Sequence, residues 1–411
     1  MGSNRTYFRT QDRLAGDCMP PRQRSAAGLI TALADAYERG WQPADVMHVT
    51  RRALGSGAVP TAAAAVLYQA RATDVDGRAP REWRAQLEQI ADRESEAGRF
   101  AAGLPAYCDP DEFATALDAV GWQIGVREWV ALTVQWLELP RLTRLCDPPS
   151  TWPRAGTRPQ TTDVVDDARC ADPKVLNRIR GLLAKAEATD FVEEAETFTA
   201  KAQALMTRYA INSALLQGTG PTDGANTAVS SRRIHLDNPY VREKVHLLTA
   251  IGEANRSRTV WFDRFAIATV VGSPLDLEQV DLLFTSLLIQ ATRAMQSAGA
   301  RDADDADNFR GSRTTSFRKA FLFGFAVRIG QRLKETDSRA TAEAAVDADV
   351  RIDDLLPVLA ARSEAVDAEF ERLFPSTKAS RSRSVDADGW YAGQSAADDA
   401  SLSPADRAIA R

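Results

Sequence analysis

The chemistry this chain could support is concentrated in the stretch 316–336, SFRKAFLFGFAVRIGQRLKET. At ~100° per residue, Phe321, Leu322, Phe325, Ile329 and Leu333 form one apolar face, and Arg318, Arg328 and Arg332 fall among them. Phe323 and Val327 make the opposite side apolar as well. A helix that is apolar nearly all round is expected to be buried, and a buried guanidinium requires a carboxylate, a carbonyl cluster or an anionic ligand. Two outcomes follow. Either the arginines pair with Glu243, Asp276, Glu278 or Asp281, or Arg318, Arg328 and Arg332 line an anion pocket for phosphate or carboxylate. Gly324 and Gly330 in the same stretch would let a second backbone or a ligand approach closely.

Other chemistries find little footing. Only three histidines occur, His48, His235 and His246, none in a His-Glu-x-x-His pattern. His48, in DVMHVTRR, reads as a helix-surface or interface residue. Cys18, Cys108, Cys146 and Cys170 are far apart and offer no metal-ligand spacing, so no metal and no cofactor are expected. No glycine-rich phosphate loop and no Gly-x-Ser-x-Gly elbow is present. The paired carboxylates Glu193-Glu194 and Asp304-Asp305 read as solvated charge. Basic residues gather at Arg51-Arg52 and in PSTKASRSRSV, where Lys378, Arg381 and Arg383 are free of acids until Asp386. Without interleaved aromatic residues that run lacks a stacking platform, but it can supply salt-sensitive contact to phosphates.

The element that must hold these residues in place is the segment from Asp172 to Tyr209. Asp172-Pro173 is a strong helix start, and Leu176, Ile179, Leu183 and Ala186 recur at three- and four-residue steps. Asp190 with Glu193 can cap a second helix, whose Phe191, Ala195, Phe198, Ala202, Leu205 and Tyr209 make a heptad-like seam. So short a connection predicts an antiparallel helical hairpin. Its strings IRGLLAKAEAT and EEAETFTAKAQALMTRYAI resemble the domain of unknown function 2786 family. The motifs fall on Arg178-Ile179, Leu182 to Glu187 with Thr189, Glu194 to Glu196, and Lys201 to Met206. The resemblance implies a fold for this tenth of the chain and no reaction. Val271-Gly272, Asp276 to Val280 and Ser316 to Gly324 further resemble the domain that commonly follows this hairpin.

A length of 411 residues with 44% hydrophobic content allows a sizeable core and two or three domains. The expected organisation is a flexible leader at 1–24, an all-α domain at 25–145, a proline-rich linker at 146–171, the hairpin at 172–216, a linker at 217–228, an α+β domain at 229–336 and a tail at 337–411. The last holds short helices and the basic flexible segment. The fold class is thus mainly α with a small α+β C-terminal domain, a small sheet backed by helices. Its strands are expected at 230–236, at RTVWF and at FAIATVV, the last two joined through Asp263-Arg264. Asn238-Pro239 is read as a helix start, and Ser273-Pro274 as another.

A net charge of −5 gives no general attraction to nucleic acid or anionic lipid. No apolar run approaches the ~18 residues needed to span a bilayer. Reduced thiols and the polar N-terminus point to a cytoplasmic protein. The reading these features favour is a non-catalytic binding protein with a nucleic acid or protein partner. An enzyme of unrecognised type with an anion pocket around Arg318 and Arg328 is the competing reading, and a homo-oligomeric scaffold a third. No catalytic residue is assigned, and the oligomeric state is left open.

Overall fold

The computed structural model describes residues 25–105, 108–122, 125–153, 173–188, 198, 201–202, 204–208, 229–305, 312–347, 352–377 and 386–399. The chain is mainly helical with one small antiparallel sheet and divides into two compact units, 1–161 and 162–411. No helix among the described residues is long and apolar enough to cross a membrane.

The first unit is built from α1 (Ala26–Glu38), α2 (Pro43–Leu54), α3 (Val59–Ala72), α4 (Arg81–Arg93), α5 (Ser95–Gly103), α6 (Pro110–Ala119) and α7 (Val126–Leu137). Its helix starts are written locally. Pro43 and Pro110 occupy first-turn positions, and Asp109 accepts from the amides of Asp111 and Glu112 while Glu112 reaches back to the Asp109 amide. Leu29, Leu33, Trp41, Phe113, Leu117, Leu132 and Trp136 are fully buried. Buried polar groups are tied across the helices: the Trp136 indole donates to the Thr50 hydroxyl at 2.9 Å and the Trp41 indole to the Pro140 carbonyl at 2.8 Å. Of the two placements its sequence context allowed, surface or interface, His48 takes the second and is buried, because α2 is covered by α3, α4 and α7. The expected linker begins packed: Trp152 is buried, with its ring 5.0 Å from that of Trp83.

In the second unit, α8 (Pro173–Ala188) leads to β1 (Ser230–His235), α9 (Val241–Ala254), β2 (Arg258–Phe262), β3 (Ile267–Gly272), α10 (Pro274–Asp305), α11 (Ser312–Asp347), α12 (Ile352–Leu373) and α13 (Ala387–Asp399). The sheet order is β1-β3-β2, with both neighbours antiparallel to β3. Central strand β3 is buried throughout, as a run apolar but for Thr269 requires. Ala268 and Val270 face a core shared with Val245, Leu248 and Ile251 of α9 and Leu277, Val280, Phe284 and Leu287 of α10. Ile179 and Leu183 of α8 enter the same core, as do Ala202 and Met206. Val271, on the opposite face, packs with Val366 and Phe374 at α12. The sheet is therefore covered on both sides.

Several expectations shift. β2 and β3 are joined by four residues, Asp263 to Ala266, not by Asp263-Arg264 alone. The Phe265 amide turns back to the Phe262 carbonyl, and Ala266 takes a positive φ of 52°, so the apolar Phe265 and Ala266 belong to the turn. The helix after Asn238-Pro239 starts two residues later, at Val241, with Tyr240 in the left-handed region. The helix expected at 316–336 runs over Ser312–Asp347. Residues 337–399 are more than a tail: α11 continues into them, α12 covers the sheet, and α13 packs along α11. The leader at 1–24, the linker at 217–228 and most of the second hairpin arm lie outside the described residues.

Glycines let α13 approach α11 at backbone distance. A Cβ at Gly393 would lie 2.0 Å from the Phe321 carbonyl oxygen, one at Gly389 2.5 Å from that of Phe317, and one at Gly324 2.3 Å from that of Trp390. Phe317, Phe321 and Arg328 meet Gly389, Gly393 and Asp398 in turn, so the pair is parallel. This is the close backbone approach that Gly324 suggested in the sequence. Gly330 performs the same service toward α9, where a Cβ would meet Ala250 at 3.0 Å.

Candidate functional site

Where β3 gives way to α10, the chain reads Gly272-Ser273-Pro274, and the serine caps the helix as its sequence predicts. The Asp276 amide donates to Ser273 Oγ at 3.2 Å, and Ser273 Oγ donates to Asp276 Oδ2 at 2.7 Å. From α12, Arg362 donates to Ser273 Oγ at 2.8 Å and stands 3.5 Å from Asp276 Oδ2. The Arg362 and Asp276 side chains are only 8% and 4% exposed, so this is a buried ion pair.

A second pair stands beside it. Arg256, held at a positive φ of 54° between α9 and β2, donates to Asp337 Oδ2 of α11 at 2.7 Å. The Thr207 hydroxyl donates to Asp337 Oδ1 at 3.4 Å, and Gln279 of α10 donates to the Met206 carbonyl at 3.0 Å. This end is partly open, with Arg256 and Asp337 side chains 16% and 19% exposed. Residues 206–207 are thereby tied to α10 and α11 through one polar cluster.

Burial pushes the Asp276 carboxyl above the usual carboxylate range, opposed by the Arg362 guanidinium and the Ser273 hydrogen bond. Asp337 is raised for the same reason, against the pull of Arg256 and Thr207. Two guanidinium groups and two carboxylates balance in charge. Both Asp337 oxygens already accept hydrogen bonds, and Asp276 Oδ2 is held by Ser273 and Arg362. The arrangement joins helices.

The arginines singled out in the sequence lie elsewhere. Arg318 is exposed, because Ala320 is the first buried residue of α11 among those described. α13 packs on the side of α11 that carries Phe317, Ala320 and Phe321, and Arg318, about 100° round the helix from Phe317, is left in solvent. Arg328 pairs through Nε with the Asp398 carboxylate of α13, and Arg332 donates to the Ala397 and Asp398 carbonyls, the latter at 2.8 Å. The C-terminal turn of a helix carries partial negative charge, so these guanidinium groups meet an internal anion. Their partners are not the four acids expected: Asp276 is taken by Arg362, and Asp281 stands 3.6 Å from Arg232. Glu278 keeps a buried Oε2 that accepts no hydrogen bond among the described residues. Lys378, Arg381 and Arg383 lie outside the described residues. Arg51 stands 3.7 Å from Glu94 on the first unit.

His246 shows how burial tunes a side chain. Its ring packs edge-on to Phe323 at 4.7 Å, and Phe323 in turn meets Trp390 of α13 at 5.2 Å. Desolvation lowers the imidazole pKa, with Glu243 opposing and Arg242 reinforcing the shift. Among the described residues, no three His, Cys, Asp or Glu side chains converge as a metal site would require.

Arg256, Asp337 and Arg362 carried no signal in the sequence. Arg256 and Asp337 are 81 residues apart, and Ser273 and Arg362 are 89 apart. Ser273 was visible as a helix cap, and Asp276 as one of the four acids expected to pair with the late arginines.

A family model described as a protein of unknown function (DUF2786) matches residues 174–213. The matched segment includes Met206 and Thr207, the residues that reach the buried cluster. No curated protein and no solved structure matches the chain.

Proposed function

We propose that this chain is a non-catalytic, cytoplasmic binding protein that contacts the phosphates of a nucleic acid through one end of the α11–α13 helix pair. The juxtaposition of residues 317 and 389 carries the reading. Gly389 lies against Phe317, which brings the first turn of α13 beside the exposed Arg318 and Lys319 of α11. The basic run with Lys378, Arg381 and Arg383 leads directly into that turn in the sequence. Arg318 and Lys319 stand exposed at this end of the helix pair, and the run with Lys378, Arg381 and Arg383 is near it in sequence.

Asp386 and Asp388 sit at the same end, and the run 301–307 that precedes α11 holds four aspartates. Local charge is therefore modest, and the expected affinity is weak and steeply dependent on salt. The segment over 174–213 serves in this proposal as a brace for α10 and α11 through Met206 and Thr207.

The test is titration of the full chain with single- and double-stranded oligonucleotides at low and moderate salt. Binding at low salt is expected, with affinity falling as salt rises, and the double variant Arg318→Glu/Lys319→Glu should weaken it and flatten the salt slope. Absence of binding at low salt, or binding indifferent to charge reversal at 318, 319, 378, 381 and 383, overturns the proposal.

A further inference from the structure

We infer that the outer edge of β2 pairs with the same edge of a second copy of this chain, joining two three-stranded sheets into one about a two-fold axis. The phase of the ladder shows which backbone groups are left for it. The Leu236 amide donates to the Ala266 carbonyl at 3.0 Å, in the register of the β1–β3 pair, so Ala268, Val270 and Gly272 turn their amides and carbonyls toward β1. Ile267, Thr269 and Val271 therefore turn theirs toward β2, where they meet Phe262, Val260 and Arg258. The residues between, Thr259 and Trp261, point both of their backbone groups out of the sheet. Among the described residues no group hydrogen-bonds to them there. Trp261 is packed on the α9 side, and Val260 and Phe262 on the α12 side, so both faces of β2 are covered while its edge stays open.

An open edge can template any extended chain, and what selects a second copy is that β2 complements itself. Antiparallel pairing about Val260 sets Thr259 of each copy opposite Trp261 of the other. The outward amides and carbonyls of one strand then meet those of its mate. Arg258 falls opposite Phe262 of the other copy, with Asp263 next to it, so a cation meets an aromatic ring and a carboxylate and no like charges face one another. Both charged side chains are within reach, Arg258 being 55% and Asp263 75% exposed. The two-fold axis stands normal to the sheet, which keeps α9 on one face and α12 on the other in both copies. β2 also lacks the devices that guard an edge, having no proline, no lysine and no bulge in its register. The opposite edge is unsuited to self-pairing, because β1 carries Arg232 and Arg233 in succession and two copies would bring these cations together. This inference is independent of the phosphate-contact reading.

The test is light scattering on the full chain over a concentration series. A contact built on one short strand is small, so the dimer is expected to be weak, with the mean mass rising toward twice that of the chain by about 100 μM. Thr259→Pro removes an outward amide without touching a bond to β3, a substitution that edge strands tolerate. Symmetry deletes two hydrogen bonds at once, so this variant should weaken the dimer by at least about fivefold, whereas Thr259→Val should retain it. Amide exchange of the wild-type chain supplies a readout that needs no variant, since protection over 258–262 should increase with protein concentration. A chain that stays monomeric throughout the series overturns the inference. So does a dimer whose exchange over 258–262 is indifferent to concentration, or one that a folded Thr259→Pro leaves intact, because its contact then lies elsewhere. Should Thr259→Pro fail to fold by circular dichroism, the wild-type exchange decides by the same criterion.

Discussion

Gly393→Ala is the sharpest test of how the second unit is closed, because two physical effects of opposite sign meet at one methyl group. In a free helix, alanine is better than glycine by about 1 kcal/mol, so if α13 were loosely attached the change would stabilise it. Against α11, however, the new Cβ would stand 2.0 Å from the Phe321 carbonyl oxygen, where ordinary contact begins at 3.4 Å. The obstacle is backbone and cannot swing aside. To clear it, α13 must retreat by about 1.4 Å, which also loosens Gly324 from the Trp390 carbonyl and draws Asp398 away from Arg328. Overpacking of this kind costs roughly 1–3 kcal/mol, which exceeds the propensity gain over most of that range. Gly181→Ala in α8 is the matched control, since its Cβ would meet nothing within 4 Å and only the propensity gain of about 1 kcal/mol remains. With two units in the chain, a single global midpoint mixes their transitions, so the assay is amide hydrogen exchange resolved over 387–399 together with urea unfolding. The expected result is lost protection in α13 and a lower urea midpoint for Gly393→Ala, with a higher midpoint for Gly181→Ala. If Gly393→Ala stabilises as its control does, the backbone-distance packing of α11 and α13 is refuted.

The buried pair predicts strong non-additivity. Arg362→Leu alone should destabilise by about 3–5 kcal/mol by stranding Asp276, whereas Arg362→Leu/Asp276→Leu should recover most of that loss, measured as a double-mutant cycle in urea. His246 carries a pH signature. Its folded-state pKa is lowered, so below the ordinary imidazole value near 6.5 the unfolded chain binds the extra proton, and stability falls as pH drops through that window. His246→Phe should flatten the urea midpoint between pH 7.5 and 5.5; an unchanged slope would show that another group titrates there. Asp276 and Asp337 run the other way. With folded-state pKa values raised, each costs stability at neutral pH that is regained as pH falls through its folded pKa toward the unfolded value, so Asp337→Asn should lessen that gain in the acid limb.

What the amino-acid order determined by itself is the set of elements and their buried stripes. Ser273-Pro274 and Asp109-Pro110 announce helix starts because capping involves atoms only a few residues apart. The stripe Leu277, Val280, Phe284, Leu287 and Ala291 was legible because a 3.6-residue repeat is a property of one helix, and each of those residues is buried. The apolar run at 267–272 identified a covered strand for the same local reason. Only tertiary structure decided which charges meet. Whether Arg318 lies in water and Arg328 on Asp398 depends on where α13 ends and how far the neighbours of α11 reach, and neither is encoded near residue 320. Gly324 announced a close approach but not its partner. The partner is a helix that begins more than sixty residues later.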